Sequence, residues 1–269
     1  MRESRAETPG SMHFPVRFEG PMPPLLSSKL PAMIGHRGAA GLAPENTLAG
    51  FTVARKAGAT WVEFDIRLCA DGRCILLHDD TLARTTDAGE VDAASLTLAE
   101  LAAFDAGAWF GPDFAGIGIP TLEETFDALS ALGLGANVEI KPAPGQDVET
   151  ARAIAAVLRT AWPDNLPAPL LSSFEIPALE AIREAAPEFA RGLLLEAVPD
   201  DWRQLAERLD VATIHCDHAQ LTAERALEIK GAGYPLLCYT VNHAGRAREL
   251  FGWGVDSVFT DFPDRLASV

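Results

Sequence analysis

The chain has 269 residues, 48% of them hydrophobic and 22% charged, and a formal net charge of −16. This is enough apolar sequence for one large α/β domain or two small ones. The acidic balance argues against nucleic acid or an anionic membrane as partner, since both select a basic face, and it obliges any anionic substrate to find a local positive site.

Residues 1–28 carry Pro9, Gly10, Pro15, Pro21, Pro23 and Pro24. They lack both an apolar core of roughly seven residues and a clear cleavage site, so they read as a flexible extension and not as a secretory signal. No apolar run further along reaches the roughly 18 residues of a membrane span. From residue 29 onward, short apolar runs alternate with amphipathic stretches. Strands are expected at 33–35, 61–68, 136–140, 170–172, 191–195, 212–215, 236–240 and 257–260. Helical patterns lie between most of them. Thr121-Leu122-Glu123-Glu124 and Ser172-Ser173-Phe174-Glu175 have the capping-box form. Asn242 stands where an N-cap belongs, ahead of 244–250. Gly58, Gly133, Gly231 and Gly252 fall near expected helix ends, where a left-handed residue closes the last turn.

Eight β-then-α units over residues 29–269 specify an α/β fold, a TIM (β/α)8 barrel, as a single domain. An open doubly wound sheet is the alternative, and the lack of a G-x-G-x-x-G after the first strand counts against it. Residues 79–120 break the rhythm. They are too long for an ordinary βα loop and hold their own helix pattern at 97–104, with a capping box at Thr97 and Glu100. They read as an insertion after strand two, whose Trp109 and Phe110 either cover the site or pack the insertion onto the barrel. Cys69, Cys74, Cys216 and Cys238 sit in mostly apolar surroundings without a C-x-x-C pair. They read as buried reduced thiols and favour a reducing, cytoplasmic setting. His215-Cys216-Asp217-His218 lacks the ligand spacing of a soft-metal site and reads as a strand end entering a polar loop.

Chemistry in such a barrel gathers at the C-terminal strand ends. His36 and Arg37 follow strand one. Glu63 and Asp65 lie two apart on strand two and share one face, with Phe64 turned to the helices. Glu139 and Lys141 repeat that spacing at the end of strand three, and His78 opens the insertion. Inward carboxylates are costly unless paired or bound to a cation. Three oxygen donors without sulfur suit one hard divalent ion, Mg2+, Ca2+ or Mn2+. Arg37 offers phosphate a planar fork and Lys141 a point charge. His36 and His78 can exchange protons near neutral pH. Any one of these residues alone would read as a salt bridge or a satisfied histidine; their convergence on adjacent strands points to phosphodiester cleavage. Phe174, His215, Tyr239, Asn242 and Asp261, at other strand ends, are weaker candidates to line the pockets.

Taken together, I-G-H-R-G (34–38), A-P-E-N-T (43–47), E-F-D (63–65), L-L-H-D-D (76–80), N-V-E-I-K (137–141), Y-T-V-N (239–242) and W-G-V-D-S-V-F-T-D (253–261) resemble the glycerophosphodiester phosphodiesterase family, from about residue 31 to 266. Residues 170–175, 191–195 and 200–203 are especially similar to its cytoplasmic bacterial members encoded with glycerol-3-phosphate uptake. The resemblance implies a TIM barrel with a small insertion after strand two. It implies hydrolysis of glycerophosphodiesters, such as glycerophosphocholine and glycerophosphoethanolamine, to sn-glycerol 3-phosphate and an alcohol. It implies a metal on Glu63, Asp65 and Glu139, acid–base roles for His36 and His78, and phosphate contacts from Arg37 and Lys141. Glu45 would either support the first-strand loop or sit near the metal. The nucleophile would be the substrate's own hydroxyl, giving a cyclic phosphate that water then opens, a route favoured by high effective molarity. Lysophospholipase D-like and phosphoinositide lyase-like activities are the rivals on this barrel. They call for an apolar rim or basic surface, which no segment here supplies. A non-catalytic sensor would not require both histidines and all three carboxylates. The expected partner is a small molecule, with a homodimer left open.

Overall fold

A computed structural model describes residues 29–269. The extension expected over residues 1–28 lies outside the described residues. In chain order the elements are β1 (Met33–Gly35), α1 (Leu48–Lys56), β2 (Trp61–Leu68), β3 (Cys74–Leu76), α2 (Leu98–Leu101), α3 (Leu122–Leu132), β4 (Gly135–Ile140), α4 (Asp147–Ala161), β5 (Leu170–Ser173), α5 (Ile176–Ala185), β6 (Ala190–Leu195), α6 (Trp202–Leu209), β7 (Thr213–Asp217), α7 (Ala223–Gly231), β8 (Leu236–Tyr239), α8 (Ala244–Gly252), β9 (Ser257–Thr260) and α9 (Pro263–Leu266). All these strands except β3 pair in parallel, and β1 closes the ring by pairing with both β2 and β9. The fold is a TIM barrel. Its strands read as near-continuous apolar runs because helices cover the outer face while side chains fill the inner one.

Leu30, Ile34, Trp61, Leu170, Leu237 and Phe259 form one buried cluster inside the barrel. Two larger clusters join strands to helices: one around Phe51, Phe64 and Phe126, the other around Trp202, Leu209 and Leu236. Phe64 does face the helices, with its ring 5.5 Å from that of Phe51 on α1. Thr97 and Thr121 form the expected capping boxes at the starts of α2 and α3. All four cysteines are free and buried.

Four expectations need correction. The structure adds a ninth strand, β3, which turns back antiparallel on β2 through Asp71-Gly72. Ser172 does not cap α5; it lies in β5, its side chain accepts from Asn137, and Glu175 takes the cap position without a side-chain bond. Asn242 does not cap α8 either, because its amide is bonded to Asp261 and His243 takes that position. At the ends of α7 and α8 the left-handed residues are Gly233 and Gly254, two places beyond Gly231 and Gly252.

Between β3 and α3 the chain makes an apolar cluster of its own, in which Leu77, Leu82, Ala93 and Leu101 pack with Cys69 and Ile75 of the hairpin. Trp109, Phe110 and Phe114 stack edge to face within this segment.

Candidate active site

The site forms where β1, β2 and β4 end, and local backbone geometry sets it. Gly35 ends β1 so close to the next turn that a Cβ there would lie 2.1 Å from the Gly38 carbonyl oxygen. Arg37 and Asn46 both adopt left-handed backbone, at φ 48° and 55°. Non-glycine residues are held there only against a conformational cost. The holding bonds are visible: the Arg37 N–H donates to Glu63 Oε2 at 2.9 Å, and the Asn46 N–H donates to the Arg37 carbonyl at 3.1 Å. Asn46 then grips Asp65 twice, donating Nδ2 to Oδ2 at 2.8 Å and accepting the Asp65 N–H at 3.1 Å. Thr47 caps α1 by accepting from the Gly50 N–H.

On β2 and β4, Asp65 stands in register with Glu139. Glu63, Asp65 and Glu139 place carboxylate oxygens within 4.8 Å of one another. Burial, then Asp65 and Glu139, pushes the Glu63 carboxyl well above the usual range. Burial and Asp65 likewise raise Glu139 to about 7, against the pull of Lys141 and Arg37. Burial also opposes ionisation of Asp65, yet Arg37, His78, Lys141 and the Asn46 amide hold it down to about 2. Glu63 Oε1 is buried without a hydrogen-bond partner. A spare buried carboxylate oxygen beside two further carboxylates fits a hard divalent cation, which would take the place of the missing partners.

Each histidine is held from behind. His36 Nδ1 is 2.6 Å from Asp261 Oδ1, and Asn242 Nδ2 donates to the other oxygen of that carboxylate at 2.7 Å. The free His36 Nε2 lies 3.9 Å from Glu63. His78 Nδ1 is 2.6 Å from Asp79 Oδ1, while its Nε2 lies 2.7 Å from Lys141 Nζ. Since ammonium can only donate, the Lys141 contact sets the tautomer with the proton on Nδ1. Burial lowers the His78 pKa. The buried Arg67 guanidinium donates to the His78 carbonyl from Nε and Nη2 and pairs with Asp80 at 2.6 Å, which fixes the backbone under the ring.

Arg37 Nη1 donates to Glu45 Oε1 at 2.8 Å, and Arg37 Nε lies 3.4 Å from Asp65. Glu45 therefore supports the first-strand loop through Arg37. Arg84 reaches across from the insertion and bonds both oxygens of Glu45 (2.6 and 2.8 Å) and both of Asp79 (2.6 and 3.1 Å). One charged chain thus connects Arg37, Glu45, Arg84, Asp79, His78 and Lys141.

His36, Arg37, Glu63, His78, Glu139 and Lys141 line a single cavity of about 280 Å³, together with Phe174 and Tyr239. A second cavity, of about 620 Å³, shares Glu139, Lys141 and Phe174 with it and runs outward past Asp147, Glu175 and Glu196. His215 lines neither. It is sealed in the barrel with Nε2 2.8 Å from Thr213 Oγ1, and burial drives its pKa down to about 3. Asn242 and Asp261 act behind His36, whereas Trp109 and Phe110 line neither cavity. Residues 215–218 form no metal site, because His215 faces the interior and Cys216 joins the outer core. Sequence reasoning did not single out Asn46, Asp79 or Arg84. The P-E-N-T and H-D-D motifs contain the first two, and only tertiary contact reveals Arg84.

The sequence profile described as the glycerophosphoryl diester phosphodiesterase family matches residues 36–265. A glycerophosphodiester phosphodiesterase of Caldanaerobacter subterraneus is 32% identical over 242 residues, covering 88% of this chain and 96% of that one. A Bacillus subtilis glycerophosphodiester phosphodiesterase is 31% identical over 267 residues, covering 91% and 88%. Among solved structures, an Oleispira antarctica phosphodiesterase in complex with the product sn-glycerol-3-phosphate superposes with a TM-score of 0.86 at 41% identity, covering 89% of this chain and 96% of that one.

Proposed function

The chain belongs to the glycerophosphoryl diester phosphodiesterase family, and from that premise we propose that it hydrolyses water-soluble glycerophosphodiesters to sn-glycerol 3-phosphate and an alcohol with the help of one divalent cation. The observation that carries this reading is the convergence on one cavity of Glu63 and Glu139, two cations and two carboxylate-held histidines, with the buried Asp65 carboxylate within 4.8 Å of both glutamates. Glu63, Asp65 and Glu139 would hold the cation, Mg2+, Ca2+ or Mn2+. When bound, it would offset phosphate charge and lower the pKa of a coordinated hydroxyl. Arg37 and Lys141 neutralise the phosphate from the sides.

His78, neutral and with Nε2 facing the cavity, accepts the proton of the glycerol hydroxyl next to the phosphate as Lys141 shifts to the phosphate. That oxygen bonds to phosphorus while the bond to the alcohol breaks. His36, flanked by the Asp261 and Glu63 carboxylates, gives the departing alcohol its proton. Water then opens the cyclic phosphate as His36 takes a proton from it, and His78 returns its proton to the glycerol oxygen. Protons balance over the two steps, and proximity of the hydroxyl supplies much of the rate.

The alcohol would leave through the outer cavity, where Asp147, Glu175 and Glu196 make no ion pair among the described residues. Such a lining suits the cationic head groups of glycerophosphocholine and glycerophosphoethanolamine. Among the described residues, large exposed hydrophobic side chains are scattered, and of these only Phe174 lines the cavities, which disfavours a long-chain lysophospholipid. No helix among the described residues is long and apolar enough to cross a membrane. We take residues 79–120 as an insertion that serves the site through Asp79 and Arg84, and the buried free thiols as suited to a cytoplasmic setting.

The test is choline release from glycerophosphocholine after chelation and after cation add-back. Activity that is lost and then restored supports the reading; full activity in chelator, or in Glu63→Ala, rejects it.

A further inference from the structure

One polar pair in the cavity has no part in the scheme above. Asn137 on β4 stands in register with Glu63, and Ser172 on β5 with Glu139. Both line the cavity of about 280 Å³ that holds the catalytic groups, and they are only 1% and 0% exposed. Asn137 Nδ2 donates to Ser172 Oγ at 2.9 Å. Asn137 Oδ1 has no partner. The Ser172 hydroxyl, having accepted that bond, gives its own proton to no acceptor among the hydrogen bonds of the described residues. Buried polar atoms are almost always bonded, so each exception calls for a ligand or water.

The pair is also specific in form. It sets an unused acceptor beside an unused hydroxyl donor, which is what one hydroxyl needs, since a hydroxyl both gives and takes a hydrogen bond. Elsewhere in the inner lining, Leu194 and Phe259 are apolar, the Tyr239 hydroxyl is already donated to the Leu195 carbonyl at 2.8 Å, and Thr240 offers a single half-buried hydroxyl. Asn137 sits two residues before Glu139 on the same strand and face, roughly 6–7 Å deeper at the usual strand rise. That depth suits a three-carbon chain hung from a phosphate held at the rim.

We propose that Asn137 and Ser172 form the subsite that reads the terminal hydroxyl of the glycerol moiety, the one taking no part in bond making. The pair thereby sets a preference for glycerol over diols that lack this group. This rests on the phosphodiesterase reading and adds the origin of its specificity. Sites built to bond a substrate hydroxyl discriminate strongly against analogues lacking it, because the protein groups are then left unpaired in a buried place.

The experiment compares kcat/KM for glycerophosphocholine with that for the phosphocholine ester of propane-1,2-diol, which keeps the hydroxyl next to the phosphate and lacks the terminal one. The wild type is expected to prefer the glycerol ester by roughly 100-fold or more. Ser172→Ala is expected to shrink that preference about 10- to 100-fold, chiefly by loss on the glycerol ester. Ser172→Cys, close in volume but a weak donor, gives the same comparison if the alanine variant folds poorly. Equal losses on both substrates, or a wild type without preference, would overturn the assignment. A wild type that releases choline from neither ester rejects the phosphodiesterase reading itself.

Discussion

The acidic cluster makes the stability of the cation-free protein depend on pH in a way that Glu139→Gln isolates. A carboxyl raised from 4.5 to about 7 is favoured by folding in its neutral form. Its contribution is fully present below about pH 4.5 and is lost as pH rises to about 7. At 1.36 kcal/mol per unit the shift is worth about 3 kcal/mol. Glu63 is pushed the same way and keeps part of the slope in the variant. Asp65, held down to about 2, acts in the opposite sense but only below about pH 4, where its partners lose its charge. His78, lowered by burial, resists charging as pH falls through its usual range, in both proteins alike. Between about pH 5 and 8 in chelator, the wild type should therefore lose about 3 kcal/mol more than Glu139→Gln, which is roughly 6–12 °C in unfolding midpoint for a domain of this size. Thermal melts followed by circular dichroism over that range measure it. Adding Mg2+, Ca2+ or Mn2+ should cancel the loss in the wild type, because an ion that binds only the folded state stabilises it. Parallel midpoint curves for the two proteins in chelator would refute the reasoning, and with it the buried cluster as a cation site.

Replacing either His36 or His78 by alanine should cost about 10²–10⁴-fold in kcat. A p-nitrophenyl leaving group, which needs no acid, should rescue His36→Ala much more than His78→Ala; equal rescue would contradict the assigned roles. Arg84→Met should lower kcat about 10- to 100-fold through loosening of Asp79 and Glu45. Its pairs are 44% exposed on the arginine side, so stability should fall by no more than about 1 kcal/mol, and unchanged kcat with a large drop in melting midpoint would reverse that account. Asn46→Ala, which releases Asp65, should weaken cation affinity about 10- to 100-fold by titration calorimetry. Paired Glu175→Gln and Glu196→Gln changes should raise KM for glycerophosphocholine more than for glycerophosphoinositol; a uniform rise would show that the outer cavity does not sense head-group charge.

The parts of this molecule legible in its sequence are those governed by short-range periodicity. A parallel barrel strand is buried on both faces, so it shows as an apolar run, and spacing of two places Glu63 with Asp65 and Glu139 with Lys141 on the inner face. The parts that were not legible depend on which partner a polar side chain finds. Ser172 and Asn242 each have the form and position of a helix cap, yet Asn137 on β4 and Asp261 just after β9 offer them bonds, and the caps go without. The β3 hairpin carried a readable signal in Asp71-Gly72 followed by the apolar run Cys74-Ile75-Leu76-Leu77, but a three-residue antiparallel strand stands outside the β-then-α rhythm of the barrel. Arg84 is 39 residues from Glu45 in sequence, and no local pattern links a basic residue in an irregular segment to a carboxylate at that distance. The same holds for the left-handed backbone of Arg37 and Asn46: neither residue type demands it, and it is held by bonds to Glu63 and Asp65 made only after the barrel closes. The chemical groups of the site were thus visible before the fold. The bonds that orient them belong to the closed barrel, so replacing Asn46 or Arg84 should impair the site without removing any group that touches the substrate.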